Sequence, residues 1–276
     1  MKKERNSLSN RIVSFVLAAV MMLSVIAVIG PETVSAAEFS INGSGSVTIT
    51  DLDTYNAYYA NEDQWIKYTA PKSGNGYVKF TIECASDMGL DNYSDGTWCL
   101  FDRNKKQIST IDKFDTSQTA SYFKSIIFGV QKGKTYYLRV DNYPGVKVTA
   151  KFTKVTEKSG ASKKKAVNIK KGKTVKGTIL AGSKTADWYK FKLTKDQYVK
   201  ISYSAKTNRG IRFTVYNGSK SIGSVSQSYA SEKTSSQYIV NARTNKKLKV
   251  KKGTTYYVKV ERYDTNSSGY YTFKWN

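Results

Sequence analysis

Period-two alternation of apolar and polar side chains runs through most of the chain beyond residue 38. Residues 77–84, 98–101, 126–130 and 135–140 show it in the first half, and residues 198–203, 211–216, 237–242, 248–250 and 254–260 in the second. Val, Ile, Tyr, Phe and Thr fill these runs, and Gly, Asn, Asp and Ser separate them. Successive side chains of a strand point to opposite faces, so the pattern predicts short strands with one buried face. No stretch has a convincing 3.6-residue amphipathic period. Many short antiparallel strands in units of this size predict an all-β chain of sandwich or jelly-roll domains.

Parity also predicts which side chains face the core. In the second half, Tyr189, Phe191, Val199, Ile201, Phe213, Val215, Tyr256 and Val258 share the inward set. Trp188, Lys190, Lys192, Lys200, Arg212, Tyr257 and Lys259 fall on the outward one. Their first-half counterparts are Trp65, Lys67, Tyr137 and Arg139.

One phrase occurs twice. Residues 132–140 read Lys-Gly-Lys-Thr-Tyr-Tyr-Leu-Arg-Val, and residues 252–260 read Lys-Gly-Thr-Thr-Tyr-Tyr-Val-Lys-Val. Each follows a related strand, Asp63-Gln64-Trp65-Ile66-Lys67-Tyr68 or Asp187-Trp188-Tyr189-Lys190-Phe191. A long repeat with its parts in the same order implies two copies of one domain. Residues 156–166 have no large apolar side chain and read as a linker. The expected division is therefore 38–155, a linker at 156–166, and 167–276.

Residues 1–37 read as an export signal. Lys2, Lys3, Arg5 and Arg11 precede an uncharged, mostly apolar run at 12–29, and Val34-Ser35-Ala36-Ala37 offers a small-x-small cleavage site. Cleavage there starts the mature chain near Glu38; the alternative is an uncleaved anchor, since 18 residues just span a bilayer. No later segment is apolar enough to cross a membrane, so a soluble extracellular protein is expected.

Charge divides the copies. Residues 38–155 hold 14 Lys and Arg against 13 Asp and Glu, whereas residues 156–276 hold 27 against 6. So lopsided a field attracts polyanions, and outside the cell wall polymers and acidic polysaccharides are the expected partners rather than nucleic acid. Trp188 and Tyr257 stand among these lysines, where rings can stack on sugars and lysines can pair with acidic groups. The plainer reading is that the aromatics cover the sheet while the lysines keep its edges soluble.

The chain contains no histidine, which excludes Ser-His-Asp and Cys-His catalysis and His-containing zinc sites. No catalytic residue is assigned. Asp87, Asp91 and Asp95, with Glu83 nearby, form the densest acidic set. They read as a solvated turn, as hard oxygen ligands for calcium, the one cofactor the sequence offers, or as paired carboxylates for glycosidase-type chemistry. Cys84 and Cys99 are the only cysteines, and export permits a disulfide between them. Strand parity sets them on opposite faces of their strands, so bridged and unbridged forms both stand.

The strand Asp-Trp-Tyr-Lys-Phe at 187–191, the segment Phe-Thr-Val-Tyr at 213–216, Lys-Lys-Gly-Thr-Thr-Tyr-Tyr-Val-Lys-Val at 251–260 and the closing Gly-Tyr-Tyr-Thr-Phe at 269–273 together resemble one family. It is the bacterial pre-peptidase C-terminal domain, a β-sandwich appended to secreted enzymes and grouped with the collagen-binding modules of clostridial collagenases. The match covers residues 167–276 and, more loosely, 38–155. The first copy departs from it at Gln64-Trp65-Ile66, and its last strand, 146–152, lacks the Gly-Tyr ending. The resemblance implies a non-catalytic binding module, adds a matrix protein such as collagen to the partners, and places calcium among the family's ligands. The competing class is a jelly-roll polysaccharide lyase or hydrolase, recognisable by a basic groove with Tyr beside Arg or Lys. A third is a purely structural surface protein.

Overall fold

The computed structural model describes residues 39–50, 64–84, 96–114, 122–141, 145–227, 231–241 and 243–276. Residues 1–37, read above as an export signal, and Asp63, Asp87, Asp91 and Asp95 lie outside the described residues. Apart from one short 3-10 turn at Lys163–Lys165, every described regular element is a strand. No described helix is long and apolar enough to cross a membrane.

The first nine strands are β1 (Phe39–Asn42), β2 (Gly45–Thr50), β3 (Gln64–Thr69), β4 (Gly76–Cys84), β5 (Gly96–Asp102), β6 (Asp112–Phe114), β7 (Tyr122–Val130), β8 (Thr135–Asp141) and β9 (Gly145–Lys154). They form a five-stranded sheet in the order β1-β3-β8-β5-β6 and a four-stranded sheet in the order β2-β9-β4-β7. Eleven more follow: β10 (Val167–Asn168), β11 (Val175–Ile179), β12 (Asp187–Lys192), β13 (Gln197–Tyr198), β14 (Lys200–Thr207), β15 (Ile211–Asn217), β16 (Lys220–Gln227), β17 (Ser231–Tyr238), β18 (Lys249–Val250), β19 (Thr255–Arg262) and β20 (Gly269–Trp275). Their sheets run β10-β12-β19-β15-β16 and β11-β20-β14-β17, with β13-β18 as a separate ribbon. Matched position by position, the two halves share one strand order. Among the described strands, the pairings within the sheets are antiparallel except the edge pairs β1–β3 and β10–β12.

Each half closes on its own core. Ile66, Tyr68, Phe80, Trp98, Phe128 and Leu138 pack between the first pair of sheets; Tyr189, Phe191, Tyr203, Phe213, Tyr271 and Phe273 pack between the second. These are the inward-parity positions, as half-buried strands require.

The repeated phrase has a geometrical reason. In each copy its first tyrosine, Tyr136 or Tyr256, is buried, and its hydroxyl accepts the N–H of a residue before the turn, Gln131 at 3.0 Å or Lys251 at 2.8 Å. The glycine between them, Gly133 or Gly253, has a positive φ (66° and 74°), which a side chain would strain. Its N–H bonds back to the end of the neighbouring strand, at Ala70 or Leu193. The second tyrosine, Tyr137 or Tyr257, then points outward.

The halves meet through main chain. Gly129 on β7 bridges Leu180, and the Ala181 N–H bonds the Gly129 carbonyl at 2.8 Å. A Cβ on Gly129 would stand 2.1 Å from the Ile179 oxygen, so only glycine permits this approach. Tyr77 and Tyr270 add a ring contact at 5.3 Å. Residues 156–166, expected to act as a linker, are held down by polar contacts. The Glu157 carboxylate accepts two bonds from Thr178, Ser159 donates to Asp187 at 2.7 Å, and Gly160 bridges Trp188. Composition misses this because no large apolar side chain takes part.

Candidate functional site

Alternation on β12, β15 and β19 builds the outer face of the second five-stranded sheet. Register aligns Trp188, Lys259 and Thr214 in one row and Lys190, Tyr257 and Tyr216 in the next. Trp188 and Tyr216 rings lie 5.4 Å apart, and the Lys259 ammonium sits 5.9 Å from the Trp188 ring. Lys163, from the 3-10 turn, lies 4.9 Å from the Tyr257 ring and 5.3 Å from Tyr216. The aromatics are half-buried under cations, not open platforms.

The first sandwich repeats the arrangement. Trp65 and Tyr137 meet edge to face at 6.3 Å, and Trp65 meets Phe101 at 4.9 Å. Lys105, from the turn after β5, lies 4.7 Å from Trp65 and 5.6 Å from Tyr137. Lys67 stands opposite Tyr137. In both copies the outward cation of the repeated strand pairs with a carboxylate two residues on: Arg139 with Asp141 at 3.6 Å, and Lys259 with Glu261 at 2.5 Å. The face is therefore less positive than the lysine count implies.

Lys192 continues the outward row at the exposed end of β12. Lys200 does not belong with it: β14 lies in the four-stranded sheet, where Lys200 covers Tyr238 at 5.0 Å. Parity gives the side of a strand but not the sheet that holds it. Cys99 is buried on β5, and Cys84 belongs to β4 in the other sheet. The Cys84 side chain lies outside the described residues, and so does the question of a bridge. No metal-binding cluster occurs among the described residues.

Several contributors escaped the sequence reading. Tyr216 and Phe101 complete the ladders, and Lys105 and Lys163 cap them; Lys163 belongs to a lysine run inside the supposed linker. The buried acid Asp187 escaped it too. Tyr271 donates to Asp187 at 2.6 Å and shares a hydrogen bond with Tyr189 at 2.9 Å. Burial raises the Asp187 carboxyl above its ordinary range, while Tyr271 and Ser159 oppose the shift. Glu157 is raised as well, by burial and then by Asp187, against hydrogen bonds from Thr178 and Asn75. Asn75 belongs to the first sandwich, so this network also ties the halves. It joins the Asp of the 187–191 motif to the Tyr of the 269–273 motif, which explains why both belong to one pattern.

An open groove of about 1050 Å³ runs along β15 and β16, with Arg212 and Tyr263 among its lining.

No protein-family model matches the chain, and no curated protein does. Among solved structures, the pre-peptidase C-terminal domain of a collagenase from Bacillus anthracis is 18% identical, covering 45% of this chain and 100% of its own, with a TM-score of 0.31. The tandem CBM22 domains of Xyn10C from Paenibacillus barcinonensis are 8% identical over 76% of this chain and 82% of theirs, with a TM-score of 0.24. The M60 catalytic domain with CBM51 domains of ZmpB from Clostridium perfringens is 8% identical over 78% of this chain and 34% of its own, with a TM-score of 0.26. These likenesses assign no activity.

Proposed function

We propose that this protein is a secreted, non-catalytic binding module of the cell surface or extracellular matrix. Its second sandwich holds an anionic wall polymer or acidic polysaccharide on the outer face of the five-stranded sheet. The first, near-neutral sandwich contacts another ligand or acts as a spacer. One observation carries the reading: Lys190, Lys192, Lys259 and Arg212 share one sheet face with Trp188, Tyr216 and Tyr257, and Lys163 lies over two of those rings. Among the described residues of these three strands, Glu261 is the one carboxylate that the register sets on that face. Cations over aromatic rings keep their charge at the surface while the rings give them a rigid base. The family resemblance of residues 167–276 and the leader-like order of residues 1–37 support the same assignment.

The test is retention of the purified protein on wall polymers and acidic polysaccharides in low salt, followed by stepwise elution. Binding that weakens steeply as ionic strength rises is expected. Absence of retention at low salt removes the proposal.

A second reading has one observation in its favour. The groove sets Tyr263 beside Arg212, the residue pair by which a polysaccharide lyase is recognised. However, the Arg212 guanidinium lies over the Tyr263 ring at 4.9 Å, a stacking contact rather than an approach to the hydroxyl. Incubation with polyuronates, followed by ultraviolet absorbance of unsaturated products, decides between them. Product formation abolished by Tyr263→Phe would establish the enzyme.

A further inference from the structure

The groove is built with more care than a ladder cover requires. Its floor is the outward face of β15 and β16, which carries Thr214, Ser224 and Ser226, with Arg212 opposite Ser226. Its wall is formed by residues 239–241 and 243–248, docked on β16 through the bridge from Ser224 to Val240. That docking depends on Gly223. A Cβ there would stand 2.5 Å from the Val240 oxygen and 2.6 Å from Ile239 Cγ2.

The wall turns at Asn241, whose Oδ1 accepts the N–H of Arg243 at 2.9 Å and of Thr244 at 3.2 Å. Asn245 completes the turn at φ 53° and bonds back to the Asn241 carbonyl at 2.8 Å. A side-chain-capped turn of this kind sets the backbone, so Arg243 is carried to the rim from a defined position. Lys220, which follows the Gly218 turn (φ 56°), is the third cation of the lining.

Arg212, Lys220 and Arg243 line the groove, and among the described residues no Asp or Glu does. Glu261, directly across from Arg212, is engaged by Lys259. The Arg212 guanidinium carbon lies 4.9 Å from the centroid of the Tyr263 ring, which is 38% exposed, so the ring backs the cation. A planar guanidinium donates in parallel to the two oxygens of a carboxylate or phosphate. Hydroxyl and amide side chains between the cations can exchange hydrogen bonds with the hydroxyls of a sugar or polyol.

We propose that this groove reads the ligand: it binds an anionic, hydroxyl-rich chain, with Arg212 and Arg243 on its acidic groups and the β16 serines on its hydroxyls. The inference rests on the polyanion function above and narrows it from a charged face to a defined subsite. The shared chemistry is an oxyanion on a polyhydroxyl backbone, found in polyuronates and in polyol phosphates.

The test compares the whole protein with Arg212→Gln/Arg243→Gln and with the face variant Lys190→Gln/Lys192→Gln. Each is titrated with polygalacturonate, poly(glycerol phosphate), neutral dextran and duplex DNA of matched charge. The groove variant is expected to lose about tenfold or more in affinity for the acidic chains, with its melting temperature unchanged and the face variant much less affected. The tighter of the two acidic arms identifies the source of the oxyanion. Arg212→Lys/Arg243→Lys keeps the charge without the fork and should recover only part of the loss. Ser226→Glu, an outward substitution, should block the groove and covers the case in which the arginine variant fails to fold.

Full affinity in both the groove variant and Ser226→Glu, with loss in the face variant, overturns the groove while leaving the polyanion reading intact. Equal affinity for DNA, equally reduced in both variants, makes the groove unselective and overturns it too. No binding by the unaltered protein to any acidic chain removes the parent reading itself.

Discussion

The two sandwiches share a strand order and an outward aromatic ladder, yet each covers that ladder with a lysine from a different part of the chain. In the first copy Lys105 arrives from a turn within the sandwich; in the second, Lys163 arrives from the segment that joins the halves. The two lysines share the Tyr137/Tyr257 position, but Lys105 also covers Trp65, whereas Lys163 also covers Tyr216, the counterpart of Phe101. The capped ladder is thus common to both copies, and the second is set apart by what surrounds it. It differs in its excess of lysine and arginine, in the Arg212–Arg243 groove, and in the buried Asp187–Tyr271–Glu157 network that ties it to the first.

The largest test of this contrast is whether the copies behave as one body. Gly129→Ala drives a methyl group into the Ile179 carbonyl, an overpacking that should cost roughly 1–3 kcal/mol. The unaltered protein is expected to unfold in one thermal transition. The variant should show two, one for each copy, by calorimetry. A single unchanged transition in the variant would mean that the Gly129 contact is not what couples the copies.

The second test addresses the buried acids. Burial raises the Glu157 and Asp187 carboxyls, so between their ordinary and raised values the folded state binds more protons than the unfolded chain. Stability contributed by the neutral forms is thus full at low pH and is lost as pH rises through the folded values. Glu157→Gln should flatten this slope and leave the second copy relatively more stable near neutral pH. Denaturant midpoints of variant and unaltered protein, compared across pH, measure it. The difference between the two isolates the acids from the large net positive charge.

The smallest effect sharpens the comparison most directly. Lys105→Met and Lys163→Met should each lower stability by only about 0.5–1 kcal/mol, and by similar amounts in the two copies. Chemical denaturation followed by tryptophan fluorescence reads Trp65 beneath Lys105 and Trp188 beside the Tyr216 ring that Lys163 covers. A loss of polymer affinity in Lys163→Met larger than its loss of stability would move that lysine from cover to contact.

Much of this molecule is local and therefore legible in one dimension. The inward set from Tyr189 to Val260, the outward set from Trp188 to Lys259 and the repeated Gly-x-x-Tyr-Tyr turn all follow from period-two geometry and the φ demands of a single glycine. Nearly all the outward candidates share one kind of face for that reason. Lys200 is the instructive departure, because nothing local says which of two sheets a strand will join.

What the chain alone determined is the strand class, the inward and outward sets, the duplication and the uneven charge, since each arises within a few residues or by counting. Only the tertiary structure decided that Asp187 meets Tyr271, that Lys163 covers Tyr216, that Arg139 and Lys259 are already paired, and that Gly223 lets a distant turn bring Arg243 to the groove shared with Arg212. Those contacts join residues far apart in sequence, and strand pairing sets them rather than any pattern along the chain.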